Sequence, residues 1–291
     1  MKSLINLSDL TNKDFDKIFS YSNDLSKINE KCLNNKNIGL IFEKNSTRTR
    51  LSFQVGINQL GGNYVDINLK DLNLQRIESF EDTFEIMSCY LDCLVFRTTN
   101  HLKLETAKKH FKKPIINALS DISHPCQAIS DIFTLREHFQ RDDNFRIIWL
   151  GDLNNVLFSM IEAINFLDNS TIDVFTNKEI FQNNDSFIKS DKVKFYFDIN
   201  EEILSSADCI MTDVYNSMND EIDKEKLLIN FQVNNYLMSK TKENSVFMHC
   251  LPAKIGSEVT VDVIRGSKSI VYKQAQNRMV AQRGILKWLN I

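Results

Sequence analysis

The sequence holds 291 residues, 43% of them hydrophobic and 25% charged, the balance of a globular chain long enough for two domains. A formal net charge of −3 supplies no basic face for nucleic acid, so any anion site has to be local. No segment reaches the roughly 18 apolar residues of a membrane span, and the opening MKSLINLSDLTNKDF lacks a leader's apolar run and cleavage pattern, so a cytoplasmic protein with no membrane contact is expected.

In chain order, short β-branched or aromatic runs alternate with amphipathic stretches. Strands are expected over 37–42, 64–68, 93–97 and 114–117, with helices over 47–60, 81–91 and 101–111 between them. A longer helix, 125–139, starts at Pro125, where the missing N–H costs nothing, and puts Ile129, Ile132, Phe133 and Leu135 largely on one side. The polar break QRDDNFR, 140–146, is the expected domain boundary, separating 1–139 from 140–274. Beyond it strands are expected over 146–150, 171–176, 193–197, 209–213, 246–250 and 269–272, with a helix over 156–167. A last helix, 275–291 at its widest, is expected to pack back on the first domain. Strands separated by helices imply parallel sheets, hence an α/β protein of two doubly wound domains joined by interdomain helices.

The six cysteines, Cys32, Cys89, Cys93, Cys126, Cys209 and Cys250, lie scattered in apolar segments. No CxxC pair or nearby histidine completes a zinc site, so reduced, mostly buried thiols and no metal are expected.

Ligands of doubly wound folds gather at the C-terminal ends of the strands. The polar residues of this sequence collect there. Ser46-Thr47-Arg48-Thr49-Arg50 follows the first strand, Arg97 ends the third, and His124 and Gln127 follow the fourth. GDLNN, with Asn154 and Asn155, follows the strand 146–150. Asp213, then Ser217 and Met218, follow 209–213, and His249-Cys250-Leu251-Pro252 closes 246–250. At a helix N-terminus, hydroxyls and a planar guanidinium suit a phosphate-like dianion. Without a GxxxxGKS loop this is no nucleotide P-loop. The competing reading makes Ser46 a plain N-cap beside surface arginines. His124 alone reads equally as a structural cap, and Asp213 as a turn former. A Cys250–His249 nucleophile pair is rejected, because neighbours on a strand point to opposite faces.

Taken together, FEKNSTRTR, FRTT, HPCQAISD, GDLNN, TDVYNSM, MHCLPA and QNRM, in this order along nearly the whole chain, resemble the aspartate/ornithine carbamoyltransferase family, on its ornithine side. The resemblance implies transfer of the carbamoyl group of carbamoyl phosphate to the δ-amine of L-ornithine, giving citrulline and phosphate, as in arginine biosynthesis. It implies no cofactor and a homotrimer. Ser46, Thr47, Arg48, Thr49, Asn73, Arg97, His124, Gln127, Cys250, Leu251 and Arg278 would bind carbamoyl phosphate. Asn155, Asp213, Ser217, Met218, Cys250 and Leu251 would bind ornithine. Arg48, Thr49, His124 and Cys250 would serve catalysis, the first three by stabilising charge on the carbonyl oxygen.

HCLP rather than HPLP, with an acid at Asp213, argues against a dicarboxylate second substrate. Two departures stand out. Asn219 replaces a family glycine, and the loop Asp71 to Glu78 loses two glycines and carries Asn73 where the family has glutamine. They leave two alternatives: a carbamoyltransferase for another amine, and a non-catalytic homologue that binds carbamoyl phosphate.

Overall fold

The computed structural model describes residues 2–24, 31–69, 78–184, 190–216 and 223–291. It forms two compact units, Met1–Phe133 with Gln276–Ile291, and Thr134–Ala275. The division falls inside the helix 125–139 rather than in the polar break after it.

The first unit carries α1 (Asn12–Asp24), β1 (Asn37–Phe42), α2 (Thr47–Gln59), β2 (Asn63–Ile67), α3 (Phe80–Tyr90), β3 (Cys93–Arg97), α4 (His101–His110), β4 (Ile115–Leu119) and the start of α5 (Pro125–Phe139). Its sheet is parallel, in the order β2-β1-β3-β4. Three of the strands are nearly continuous buried runs, as a sheet covered on both faces requires, whereas the edge strand β2 is largely exposed. Ile41, Leu94, Phe96 and Ile115 of the sheet pack with Phe84, Leu104 and Phe111 in one apolar cluster. The helices start where the sequence caps them. Ser79 accepts from Asp82 N–H ahead of α3, and Asn100 from Leu102 N–H ahead of α4. Acids in the first turn of α3 and Lys108, Lys109 and His110 in the last turn of α4 match the helix dipole.

The second unit carries β5 (Arg146–Leu150), α6 (Asn155–Ile164), β6 (Thr171–Phe175), α7 (Lys178–Gln182), β7 (Val193–Tyr196), α8 (Glu201–Leu204), β8 (Cys209–Met211), α9 (Glu225–Leu228), α10 (Asn235–Ser239), β9 (Val246–Met248) and α11 (Val261–Ile264). Its parallel sheet has the order β7-β6-β5-β8-β9. The final helix, α12 (Val271–Leu289), starts in this unit and ends in the first.

Both strand orders reverse direction once, between β1 and β3 in the first unit and between β5 and β8 in the second. Such a switch point opens a crevice at the carboxyl ends of the strands.

The expected strand 269–272 is not one. Ser269 makes a single bridge to Phe247, and Val271 already begins α12. Ile270, Val271 and Tyr272 have the composition of a strand, but one turn later the helical spacing takes over and outweighs it. The helix α1 was also not expected from the sequence. Among the described residues, no helix is long and apolar enough to cross a membrane.

Candidate functional site

At the first switch point, Ser46 has extended backbone ahead of α2, yet its side chain makes no capping hydrogen bond. Its Oγ instead accepts from Arg97 Nη1 at 3.2 Å, across from the end of β3. The plain-cap reading therefore fails: the first turn of α2 keeps its N–H groups uncapped by this serine, beside a guanidinium. Arg97 owes its place to a register shift between Phe96 and Arg97, which pairs it with Leu119 and skips a residue of β4. Bulges of this kind re-aim side chains beside active sites. Thr47 is exposed at the first helical position. Arg48, next to it and half-buried, has no side-chain hydrogen bond or ion pair to a described residue.

A buried polar cluster lies deeper in the same unit. Arg278, only 4% exposed, donates from Nη1 to Gln127 Oε1 at 2.6 Å and from Nη2 to Thr49 Oγ1 at 2.9 Å. Its Nη2 also meets His124 Nε2 at 2.7 Å. A guanidinium only donates, so that ring nitrogen accepts, and the imidazole carries its proton on Nδ1. Burial first, then the charges of Arg278 and Arg97, hold the pKa of His124 well below its usual value. The histidine is neutral, and the N–H donors around its Nε2 belong to the arginine. Gln127 is itself fixed from behind, because its Nε2 donates to Asp131 Oδ1 at 2.7 Å. Asp131, Gln127, Arg278 and the pair Thr49 and His124 thus form one buried hydrogen-bonded set with a cation at its centre. Such a set, with a helix N-terminus and Arg97, offers preorganised donors to an anion and to charge developing on a carbonyl oxygen.

At the second switch point, Asn154 caps α6 through Val156 N–H and Leu157 N–H and donates from Nδ2 to Asp213 Oδ2 at 3.0 Å. Cys250 Sγ–H donates to Asp213 Oδ1 at 3.2 Å, and His249 Nε2 lies 3.9 Å from the same oxygen. Gly151, at φ +124°, allows close approach here, since a Cβ would come within 2.8 Å of the Tyr215 ring. Leu251 N–H donates to His249 Nδ1 at 2.9 Å, which places the ring proton on Nε2, facing Glu258 Oε1 at 3.2 Å. The same glutamate oxygen accepts from Lys254 N–H at 2.6 Å, so a fully buried carboxylate shapes the turn from His249 to Lys254. Within that turn Leu251 has φ +58°, a left-handed conformation that costs a leucine about 1–2 kcal/mol.

The expectation that His249 and Cys250 face opposite ways is overturned. The strand β9 stops at Met248, alternation ends with it, and the donor atoms of Asp213, His249 and Cys250 converge within 4.8 Å of one another. These are donor types that a divalent transition metal accepts. Both ring nitrogens of His249 are engaged, however, so a metal would have to displace Glu258. An acid with a thiol and an imidazole beside it suits an ammonium group and the handling of its proton.

Two family models cover the chain. Residues 2–137 match the carbamoyl-P binding domain of aspartate/ornithine carbamoyltransferase, and residues 143–289 match its Asp/Orn binding domain. The chain belongs to the aspartate/ornithine carbamoyltransferase family. It is 38% identical over 300 residues to an ornithine carbamoyltransferase of Ruthia magnifica, covering 99% of each chain. The crystal structure of ornithine carbamoyltransferase from Burkholderia thailandensis superposes with a TM-score of 0.91 at 30% identity, over 100% of this chain and 99% of that one. The Pyrococcus furiosus ornithine carbamoyltransferase structure gives 0.87 at 34% identity, over 98% and 96%.

For a carbamoyltransferase-family chain, the structure gathers Ser46 with Arg97, and Thr49, His124 and Gln127 with Arg278, in one unit. In the other it gathers Asp213 with Cys250. Asn155 is the first residue of α6, and it is Asn154 that reaches Asp213. Leu251 bonds to His249 through its backbone. Asn73, Ser217 and Met218, with Asn219, lie outside the described residues. Sequence reasoning assigned no role to Asp131, Asn154, His249 or Glu258. The helical i, i+4 spacing of Gln127 and Asp131 was a usable signal. Nothing in the order of residues tied Glu258 to His249.

Proposed function

We propose that this chain transfers the carbamoyl group of carbamoyl phosphate to the δ-amine of L-ornithine, forming L-citrulline and inorganic phosphate, in the biosynthesis of arginine. The observation that carries the reading is the buried Arg278 guanidinium held on Thr49, Gln127 and a neutral His124, three residues of the stretch 2–137 that matches a carbamoyl-P binding domain. The neutral amine attacks the carbonyl carbon, and the C–O bond to phosphate breaks. The amine's proton leaves with phosphate or through the Asp213, Cys250 and His249 group. Ser46, Thr47, Arg48, Thr49 and Arg97 hold the phosphate, and Arg278 with Thr49 meets the negative charge forming on the carbonyl oxygen. Asp213 pairs with the α-ammonium of ornithine. The remaining assignments are Asn73, His124 and Gln127 to carbamoyl phosphate, Cys250 and Leu251 to both substrates, and Asn155, Ser217 and Met218 to ornithine. Catalysis of this kind is positioning and electrostatics, without a cofactor. A cytoplasmic homotrimer is the proposed assembly.

The test is colorimetric citrulline formation, run with ornithine and with a panel of putrescine, lysine and aspartate. Ornithine is expected to give a kcat/KM far above the others. A comparable rate with another amine would replace the substrate, and no product with any amine would leave a binding protein.

A further inference from the structure

The strand-end segment that holds Ser46 also contains Glu43, an acid to which the reading above gives no task. Its side chain is 11% exposed, and its carboxylate is occupied on both oxygens. Oε2 accepts from Thr98 Oγ1 at 2.5 Å and from Thr99 N–H at 3.1 Å, and Oε1 accepts from Lys103 Nζ at 2.5 Å. The backbone adds Glu43 N–H to Arg97 C=O at 3.0 Å. Against the cost of burial, these hydrogen bonds hold the Glu43 pKa below its usual value, so the group is a carboxylate at neutral pH.

Two of the three partners, Thr98 and Thr99, follow Arg97 directly, and Lys103 stands in α4. That residue sits on the register shift of β3, where ladder pairing no longer dictates direction. Thr98, 1% exposed, is held at its N–H by Leu119 C=O at 3.0 Å and at its hydroxyl by Glu43. Glu43 thus joins the two turns, after β1 and after β3, that bring Ser46 Oγ and Arg97 Nη1 to 3.2 Å. The carboxylate does not itself face the anion: its lone pairs are spent on Thr98, Thr99 and Lys103.

We propose that Glu43 is a positioning residue for phosphate recognition. It sets the register of Arg97 against Ser46 and the first turn of α2 by anchoring Thr98 and Thr99. The proposal rests on the reading that this turn holds the phosphate of carbamoyl phosphate.

The test uses the full chain and two probes, the KM for carbamoyl phosphate at saturating ornithine and calorimetric binding of inorganic phosphate. Glu43→Ala is expected to raise both constants about tenfold or more, the loss typical of one charge-assisted hydrogen bond. The KM for ornithine, measured at saturating carbamoyl phosphate, should move less than twofold. Glu43→Gln keeps an acceptor for Thr99 N–H and should recover part of the loss. Thr98→Val, which removes only the hydroxyl, should weaken phosphate binding in wild type and add little in Glu43→Ala, because the two act through one link. Glu43→Ala also frees the Lys103 ammonium, so Lys103→Met is combined with it. An unchanged defect in the double variant supports registration, whereas full restoration overturns it in favour of charge balance. Unchanged phosphate constants with a lowered melting temperature would reduce Glu43 to a structural brace and overturn the proposal. Failure of the wild type to bind phosphate or carbamoyl phosphate would instead overturn the functional reading beneath it.

Discussion

Replacing Arg278 with methionine keeps a flexible chain of similar length and deletes a buried cation. Three hydrogen bonds go with it, to Gln127 Oε1, Thr49 Oγ1 and His124 Nε2 at 2.6, 2.9 and 2.7 Å. A hydrogen bond to a charged group is worth about 1.5–3 kcal/mol. If two of these donors turn to the substrate in the reaction, kcat/KM for carbamoyl phosphate falls by roughly 10²–10⁴ in Arg278→Met. Overall stability should change far less, because the variant also escapes the cost of burying a charge.

The same substitution acts on His124 by a second route, which separates a lost contact from a disturbed fold. Burial is the largest cause of its lowered pKa, and the charges of Arg278 and then Arg97 follow. A folded imidazole that refuses a proton is linked to stability with a definite sign. Below the ordinary value near 6.5, the unfolded chain takes up a proton that the folded chain does not, so stability falls as pH falls, by about 1.4 kcal/mol per pH unit for this one group. The loss continues down to the folded pKa. In Arg278→Met that folded pKa rises but stays depressed, since burial persists, and the slope ends at a higher pH. Urea unfolding at pH 7, 6 and 5 of wild type, Arg278→Met and His124→Gln reads this directly. The glutamine variant has no imidazole and should lack this component of the slope. Identical slopes for wild type and His124→Gln would show that the folded histidine protonates freely. A KM for carbamoyl phosphate within threefold of wild type in Arg278→Met would remove the guanidinium from substrate binding.

Arg48→Ala should cut citrulline formation by two or more orders of magnitude while leaving the melting temperature within about 1 °C, because the side chain has no partner among the described residues to lose; near-wild-type turnover would sink the phosphate socket. Asp213→Asn should raise the KM for ornithine roughly tenfold to a hundredfold and that for carbamoyl phosphate much less, and equal effects would break the substrate assignment. Gly151→Ala should destabilise the chain by more than about 2 kcal/mol, since its φ of +124° and the Tyr215 ring 2.8 Å from a new Cβ both oppose it; a neutral denaturation midpoint would contradict that geometry. In thiol titration at pH 8 exposed Cys89 should react at once, whereas Cys126, pushed up to about 12 by burial, should react only in denaturant.

That Ser46 and Arg97 come together at neighbouring strand ends was legible because the signal is local. Ser46 to Thr49 and Arg97 stand at strand ends that hydrophobic runs mark out, and parallel α/β topology makes those ends the place to look. The boundaries of β1, β3, α5 and β5 were readable for the same reason: each is an apolar or amphipathic run closed by a polar break. Ser269 to Tyr272 misled because an apolar, β-branched run can begin a helix as well as a strand, and only pairing decides between them. The contacts with β9 amount to one bridge, too little to hold a strand.

The buried supports were harder to see, and the obstacle is physical. A carboxylate that organises a site need not sit in a motif, because its effect depends on what long-range folding brings to it. Glu258 reaches His249 across nine residues, Glu43 reaches Thr98 across 55, and Arg278 reaches Thr49 across 229. No periodicity spans such distances, and composition gives an acid no sign of its partner. Burial supplies the sign once the fold is known. An ionisable group that is nearly excluded from water persists only when charge or hydrogen bonds compensate it, so each such group points to the residues it holds. By that rule Asp131 identifies Gln127, and through it Arg278, without reference to any relative. The rule also separates the two kinds of acid in this chain. Asp213 keeps 10% of its side chain accessible and has a thiol on one oxygen and an amide on the other, neither of which neutralises it. Glu258 is wholly buried, and Glu43 has a lysine to balance it. A free ammonium group would therefore find its counter-charge at Asp213, which is why the amine side of the reaction is assigned there.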